Sequence, residues 1–357
     1  EYIRGRQFTD ETIGKFRLGY ALDAWDGLLR HLRQKGVDES LAAEAGLAKA
    51  RESGGHYDVF RNRVMFPILD VSERVIGFGG RALASDDPAK YLNTPDTPMF
   101  HKGQNVYAIH LARPAMTREK SVVIVEGYLD VIVLHQAGFT NTVSPMGTAL
   151  TEDQLHLLKR FSRRMVLALD ADAAGAKATL RGLEVARQAL DREDEIRFDA
   201  RGLVHHEGRL KADLRVTAIP EGMDPDEVAL RDPEEWRRIL STARPIVVHV
   251  METLAEGQDL DDPKIKSDIA ARILPLIEDV PDPVERDAYR QRLARLLRID
   301  ERVLIGSQAA QTHPGRRPVN RPGPRPARTG APEMAEVGRS HLMEGLERHC
   351  LRLLLRK

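Results

Sequence analysis

SVVIVEGYLDVIVLH, residues 121–135, runs an apolar stretch into Glu126, then a glycine, then a helical pattern that carries Asp130. A continuous β-branched run bounded this way reads as a strand buried on both faces, as in a parallel sheet. A carboxylate at its carboxyl end calls for a partner. MVLALDADAAGAKA, residues 165–178, repeats the arrangement, with Asp170 and Asp172 closing an apolar run. LRVTAIP, residues 214–220, leads in turn to Asp224 and Asp226.

In a parallel sheet, groups at the carboxyl ends of strands collect in one crevice. If these three strands are neighbours, Glu126, Asp170, Asp172, Asp224 and Asp226 share it. Carboxylates gathered this closely repel unless a cation neutralises them. An all-oxygen set suits a hard divalent ion, Mg²⁺ or Mn²⁺, and the lack of nearby His or Cys ligands disfavours zinc. Any one acid after a strand is ordinarily a helix N-cap, and Asp172 before AAGAKA is well placed for that. Asp130 reads equally as a solvated helix residue. Capping does not account for three acidic strand ends in sequence order. A phosphatase with an Asp nucleophile would need hydroxyl or lysine signals that the following AAG lacks.

The 357 residues are enough for two or three domains with a substantial core. Lys plus Arg and Asp plus Glu are both 54, a balance that allows a basic face beside an acidic pocket. The single cysteine, Cys350, excludes a disulfide framework within the chain and a zinc site built from several thiolates. No apolar run approaches the ~18 residues of a membrane span, and no signal peptide is present. The chain opens EYIRGRQF, without Met, and closes in the helical pattern LERHCLRLLLRK, which suggests a piece of a longer polypeptide.

Residues 8–50 read as helical, with Thr9 or Asp10 capping the first helix and Gly36 ending the second. RVMFPILD and RVIGFGGRAL form a strand pair turning at VSER, and KYLNTPDTPMFHKGQ is a loop. From residue 121 strands and helices alternate, which argues for a parallel sheet with helices on its faces. IRFDARGLVHHEGRLKADLRVTAIP reads as a long hairpin turning near Glu207-Gly208. Residues 233–305 read as helical throughout, and THPGRRPVNRPGPRPARTGAP, from 312, as a flexible linker. The expected fold is α/β (α+β overall). A mixed α/β part at 1–118 precedes a parallel-sheet part at 119–232 and a helical part at 233–306. A linker at 307–335 and a final segment at 336–357 follow.

The strand-end Glu126-Gly127 with the later Asp170-x-Asp172 resembles the toprim fold of bacterial primases, topoisomerases and some nucleases. Further motifs narrow this to the DnaG-type bacterial primase, RNA polymerase core. FRNRVMFPILD (60–70), RVIGFGGRAL (74–83), KYLNTPDTPMFHKG (90–103), VEGYLDV (125–131), ALDADAAG (168–175) and MDPDE (223–227) are similar to that family's motifs, in its order. The resemblance implies that Glu126, Asp170 and Asp172 are the catalytic metal-binding carboxylates, supported by Asp130, Asp224 and Asp226. It implies that Arg6, Arg81 and Lys90 lie on a basic ridge guiding single-stranded template. Arg61, Arg63, Asn93 and Lys102 would contact nucleotide phosphates or template. Such cations also suit a polymerase on physical grounds, since template and triphosphate are both anionic. Without the acidic crevice beside them, ordinary strand-edge charge would be the preferred account of Arg61 and Arg63.

The implied activity is synthesis of short RNA primers from ribonucleoside triphosphates on a single-stranded DNA template, with two Mg²⁺ or Mn²⁺ ions. The implied partners are template, nucleotides, RNA primer and, for the full-length protein, the replicative helicase, with no membrane. The implied location is the bacterial cytoplasm, at the replication fork. The family's zinc-ribbon is absent from this chain, so no zinc is expected, and residues 336–357 would begin the helicase-binding part. The hairpin around 196–216 looks longer than usual, and His205-His206 reads as a solvent-facing turn. A toprim nuclease is one alternative, and a non-catalytic nucleic-acid or helicase-docking module the other. No tyrosine stands in a topoisomerase context, and no GxxxxGK[ST] loop is present.

Overall fold

Val122, Val123, Ile124 and Val125 alternate between two cores, as a strand covered on both faces requires. The computed structural model describes residues 2–147, 150–168, 193–198, 204–209, 212–217, 219–220, 222–280 and 282–304. Asp170, Asp172 and the segments 307–335 and 336–357 lie outside the described residues.

The chain opens with the short helices α1 (Tyr2–Gly5) and α2 (Asp10–Lys15), the latter capped by the Thr9 side chain on the Thr12 N–H as expected. The stretch 8–50 is not helical throughout. Arg17 turns the chain at φ 50, and β1 (Gly19–Ala21) follows because it can pair with a later strand. Next come α3 (Gly27–Gln34), α4 (Glu39–Glu44), β2 (Ala48–Ala50) and β3 (His56–Asp58). The buried Asp58 carboxylate accepts from the N–H groups of Leu28 and Leu29, which ties β3 to the start of α3.

β4 (Arg63–Leu69) and β5 (Val75–Ala82) form the expected hairpin. Asp70 accepts from the N–H groups of Ser72 and Arg74, and Glu73 takes a left-handed φ of 63 at the turn. β6 (Tyr91–Asn93) completes an antiparallel sheet of order β1-β4-β5-β6, so KYLN is an edge strand and not wholly loop.

The second sheet follows from α5 (Ile109–Glu119). Its elements are β7 (Ser121–Ile124), α6 (Tyr128–Gln136), β8 (Thr142–Val143), α7 (Glu152–Lys159) and β9 (Arg164–Leu167). A separate antiparallel pair, β10 (Glu193–Phe198) and β11 (Val204–Arg209), precedes β12 (Asp213–Val216). Asp194 pairs with Gly208 and Glu195 with Glu207, so Glu207-Gly208 lies inside the paired strands and is not the expected turn. Beyond come α8 (Pro225–Arg231), α9 (Pro233–Ser241), β13 (Arg244–Pro245), α10 (Ile246–Ala255), α11 (Pro263–Glu278) and α12 (Pro283–Leu297). The described residues between 233 and 304 are therefore helices and their connections except at Arg244–Pro245, which adds an antiparallel edge to β12. The sheet order is β13-β12-β9-β7-β8, with β12, β9, β7 and β8 parallel.

One face of this sheet packs on α5, α7 and α10–α12 through Val122, Ile124, Met165, Leu167, Leu214 and Val216. Val123 and Val125 on the other face pack among α6, α8, Trp236 of α9 and Phe66 and Ile68 of the first sheet. Tyr128 joins the sheets. Its ring stacks on Phe66 at 5.0 Å and meets Tyr107 edge-on at 4.7 Å, and its hydroxyl donates to Asn93 Oδ1 at 2.6 Å. Gly79 makes this possible, because a Cβ there would stand 2.5 Å from the Tyr128 ring.

Gly79→Ala is expected to destabilise the protein by about 1–3 kcal/mol through overpacking, read as a lowered unfolding midpoint in denaturant. The buried His135 gives a second expectation. Its Nε2 donates to the Thr142 carbonyl, and burial pushes its pKa down to about 4, against the opposite effect of that hydrogen bond. The unfolded chain binds this proton near 6.5, so the contribution to stability is complete above that pH and is lost as pH falls towards 4. Unfolding midpoints measured from pH 7 to 4 should fall less steeply in His135→Phe than in the parent protein.

Candidate catalytic and nucleic-acid site

Glu126 stands just beyond β7, where the backbone is held from both sides. The Ser144 hydroxyl donates to the Glu126 carbonyl at 2.6 Å, and the Val125 N–H donates to the Val143 carbonyl. The Gly127 N–H donates to Asp130 Oδ2 at 2.9 Å. Asp130 is thus half-buried and closes the turn into α6, a more particular role than that of a solvated helix residue. A Cβ on Gly127 would meet the same carboxylate at 2.8 Å, so a side chain here would push Asp130 away from its bond to the Gly127 N–H. The Glu126 side chain is exposed.

β9 lies beside β7 in parallel register, Leu167 opposite Ile124, and the Ala168 N–H donates to the Ile124 carbonyl. β12 lies on the other side of β9, Val216 opposite Leu167. The three strands whose sequences lead to acids are therefore neighbours pointing the same way. Asp170 and Asp172, which follow Ala168, lie outside the described residues.

Asp224 is exposed at the N-terminus of α8, where its side chain makes no capping hydrogen bond among the described residues. Asp226 is only 9% exposed. Burial raises its pKa above the ordinary carboxylate range, the Glu227 N–H opposes this, Asp224 and Glu227 add to the rise, and Arg6 opposes it. A buried acid beside a second acid fits a bound cation, and carboxylate donors suit a hard divalent ion. Among the described residues no three His, Cys, Asp or Glu side chains converge as a metal site.

The basic residues divide by environment. The Arg81 guanidinium lies 4.6 Å from the Tyr2 ring centroid and 5.9 Å from that of Tyr91, and Arg6 lies over Tyr2 at 5.9 Å. Tyr2 thus gathers both arginines between β5 and the acidic end of α8. The buried Arg81 Nε has no hydrogen-bond partner among the described residues. Lys90 is exposed at the start of β6. Lys102 is half-buried, and its desolvation lowers the ammonium pKa, so an anion beside it would favour the charged form. Asn93 is taken up between the Tyr128 hydroxyl and the Met146 carbonyl, which makes it a brace between the sheets.

Arg63 departs from its expected role at a template surface. It is 5% exposed, pairs with Asp87, and donates to the Ala89 carbonyl at 2.7 Å. Its charge fastens the 87–89 loop, because a buried guanidinium must be paired. Arg61 instead lies over the Trp25 ring at 4.1 Å and the Tyr57 ring at 5.4 Å, while Arg51 sits 5.7 Å from each. Trp25 is 59% exposed and meets Tyr57 edge-on, so two aromatic rings and two guanidiniums form one open platform. Reading along the sequence misses Trp25, Tyr57 and Arg51, since Trp25 in AWDGLLRHL counts as one more apolar helix residue. The available signal is that Trp25 stands two residues before α3 begins, outside its apolar face.

Family models match residues 1–113 to the DNA primase catalytic core, N-terminal domain, 120–196 to the Toprim domain, and 248–302 to the DnaB-helicase binding domain of primase. The last match falls on α10–α12, ahead of the 336–357 segment assigned to that part from sequence. The DNA primase of Deinococcus radiodurans is 40% identical over 295 residues, covering 82% of this chain and 48% of that protein. The DNA primase of Clostridium acetobutylicum is 37% identical over 305 residues, 85% of this chain and 47% of that protein. The chain spans about half the length of these curated relatives. The structure resembles that of a DnaG primase catalytic domain bound to ssDNA, with TM-score 0.71 and 32% identity over 85% of this chain and 89% of that one. For a crystal structure of a DNA primase domain from Pseudomonas aeruginosa the TM-score is 0.72 and the identity 35%, over 87% of this chain and 91% of that one. With that identity sustained along nearly the whole of a solved primase domain, the chain belongs to the DnaG-type DNA primase family.

Proposed function

We propose that the chain is the polymerising core of a bacterial DNA primase, which makes short RNA primers from ribonucleoside triphosphates on single-stranded DNA. The observation that carries this reading is the adjacency of parallel β7, β9 and β12, each of which runs in sequence into acids. In this reading Glu126, Asp170 and Asp172 are the catalytic metal ligands, with Asp224 and Asp226 beside them and Asp130 fixing the turn. Two Mg²⁺ or Mn²⁺ ions, when bound, supply a lowered pKa for the attacking hydroxyl and neutralise the triphosphate. The primer 3′-hydroxyl oxygen attacks the α-phosphorus, the bond to the β-phosphate bridge breaks, and pyrophosphate leaves.

The chain's own part is positioning. The Ser144 and Asp130 hydrogen bonds keep Glu126 at a fixed point on the strand end, and Tyr128 braces that turn against the first sheet. Arg6, Arg81 and Lys90 carry template phosphates, Lys102 a nucleotide phosphate. Trp25 and Tyr57 offer base-stacking faces flanked by Arg51 and Arg61. Residues 1–118 then hold template, 119–232 perform the chemistry, and 307–335 serve as tether. The helicase-binding family match supports a docking role for α10–α12, extending into residues 336–357. In a bacterial cell this work belongs to the cytoplasm, at the replication fork. No helix among the described residues is long and apolar enough to cross a membrane.

Ribonucleotide addition to an annealed RNA primer on single-stranded DNA, with Mg²⁺ or Mn²⁺, tests the activity. The parent protein should extend, and Glu126→Gln and Asp170→Asn should each reduce the rate by roughly a hundredfold or more. Extension that survives both changes, or template degradation in place of extension, contradicts the reading. Trp25→Ala should weaken single-stranded DNA binding by about tenfold, read by fluorescence anisotropy, because base–aromatic stacking contributes ~1–3 kcal/mol.

A further inference from the structure

The amino edge of the parallel sheet, opposite the acids, carries arginines where such a sheet is ordinarily apolar. Ser121, Arg164 and Asp213 stand side by side in register, and two residues on, on the same face, stand Val123, Val166 and Arg215. Asp213 accepts from the Nε groups of Arg164 at 3.1 Å and Arg215 at 3.0 Å, and Arg215 Nη1 donates to the Ala243 carbonyl. A guanidinium carries five N–H donors, so these bonds leave both Nη groups of Arg164 and Nη2 of Arg215 without a hydrogen bond among the described residues. A third arginine, Arg237 of α9, lies over the Phe139 ring at 5.5 Å and pairs with Glu234 through one Nη.

These three guanidiniums line one cavity of about 440 Å³, whose other walls include Phe139, Leu240 and Val166. Among the described residues its lining holds one acid, Glu119, against three arginines. The volume is in the range of small-molecule sites, which pair apolar walls with a few convergent polar groups. Arginine forks match phosphate oxygens, and the aromatic and aliphatic wall suits a planar ring. Ser121 at the cavity lies five residues before Glu126 along the same strand, roughly 16 Å at ~3.3 Å per residue, so the cavity is separate from the acidic crevice.

We infer that this cavity is a second nucleotide site, taking the phosphates of a free nucleoside diphosphate or triphosphate on Arg164, Arg215 and Arg237 and its base against Phe139 and Leu240. Calorimetric titration of the whole chain with ADP, in EDTA so that no divalent ion serves the acidic crevice, tests it. Saturable binding is expected. It should weaken by about tenfold or more in Arg164→Ala and in Arg237→Glu, the loss of a charge-assisted contact. Lys102→Ala, which removes the cation proposed for the nucleotide at the catalytic site, should leave it unchanged. Arg237 lies on an exposed helix surface, so that variant guards against loss through misfolding. Absence of saturable binding overturns the inference, as does binding that falls in Lys102→Ala but not in the cavity variants. Adenosine binding as tightly as ADP overturns it too, since the arginines would then contribute nothing.

Discussion

A single aromatic side chain governs where the acidic strand end stands. Tyr128 follows Glu126 by two residues, and its ring is wedged between Phe66, Tyr91 and Tyr107 over the bare backbone of Gly79. The wedge serves two sheets. It anchors the first turn of α6, and so the loop that displays Glu126, and it sets the antiparallel sheet bearing Arg81 against the parallel sheet bearing the acids. Burial raises the Tyr128 phenol's pKa well above the ordinary value, so the hydroxyl stays a donor to Asn93. Asn93 passes the connection on to the Met146 carbonyl. In the proposed reading, a floppy link here would let the template-binding arginines and the acids drift apart, and positioning is most of what phosphoryl transfer asks of a protein.

Charge is arranged in the same economical way. The chain as a whole is neutral, yet opposite signs are separated along it. Glu126 follows the end of β7 and Asp224 and Asp226 follow β12, while Arg6 and Arg81 meet over Tyr2 and Arg6 lies within electrostatic reach of Asp226. In the proposed reading, a template strand and a triphosphate approach along these cations and reach carboxylates whose repulsion a metal relieves. The amino edge of the same sheet carries its own arginines, so both ends of the parallel strands are charged, with opposite sign.

The sheet with its adjacent acidic strands was legible in the sequence because each strand is a continuous apolar run bounded by an acid, and the helices between them repeat at helical spacing. The β4–β5 hairpin was equally legible from two apolar runs around VSER. Other features depend on partners far away in sequence. β1 is a strand because β4 offers it an edge, and Arg244–Pro245 joins β12 for the same reason. Gly208 looks like a turn residue but pairs with Asp194 inside β11. Arg63 sits in the same motif as Arg61 yet is buried against Asp87, because adjacent odd positions on a strand and its approach meet different surroundings. Trp25 was hidden by its chemistry, an apolar residue by type that is exposed in fact.

The central claim is that the acids ending β7, β9 and β12 form one metal-loaded crevice. Diffraction at the manganese edge from crystals soaked with Mn²⁺ and a non-hydrolysable ribonucleoside triphosphate tests it most directly. The account predicts anomalous peaks within about 2–2.5 Å of carboxylate oxygens of Glu126 and of Asp170 or Asp172, with triphosphate oxygens completing the coordination. Manganese bound elsewhere, with Glu126 away from both the metal and Asp170, would contradict it.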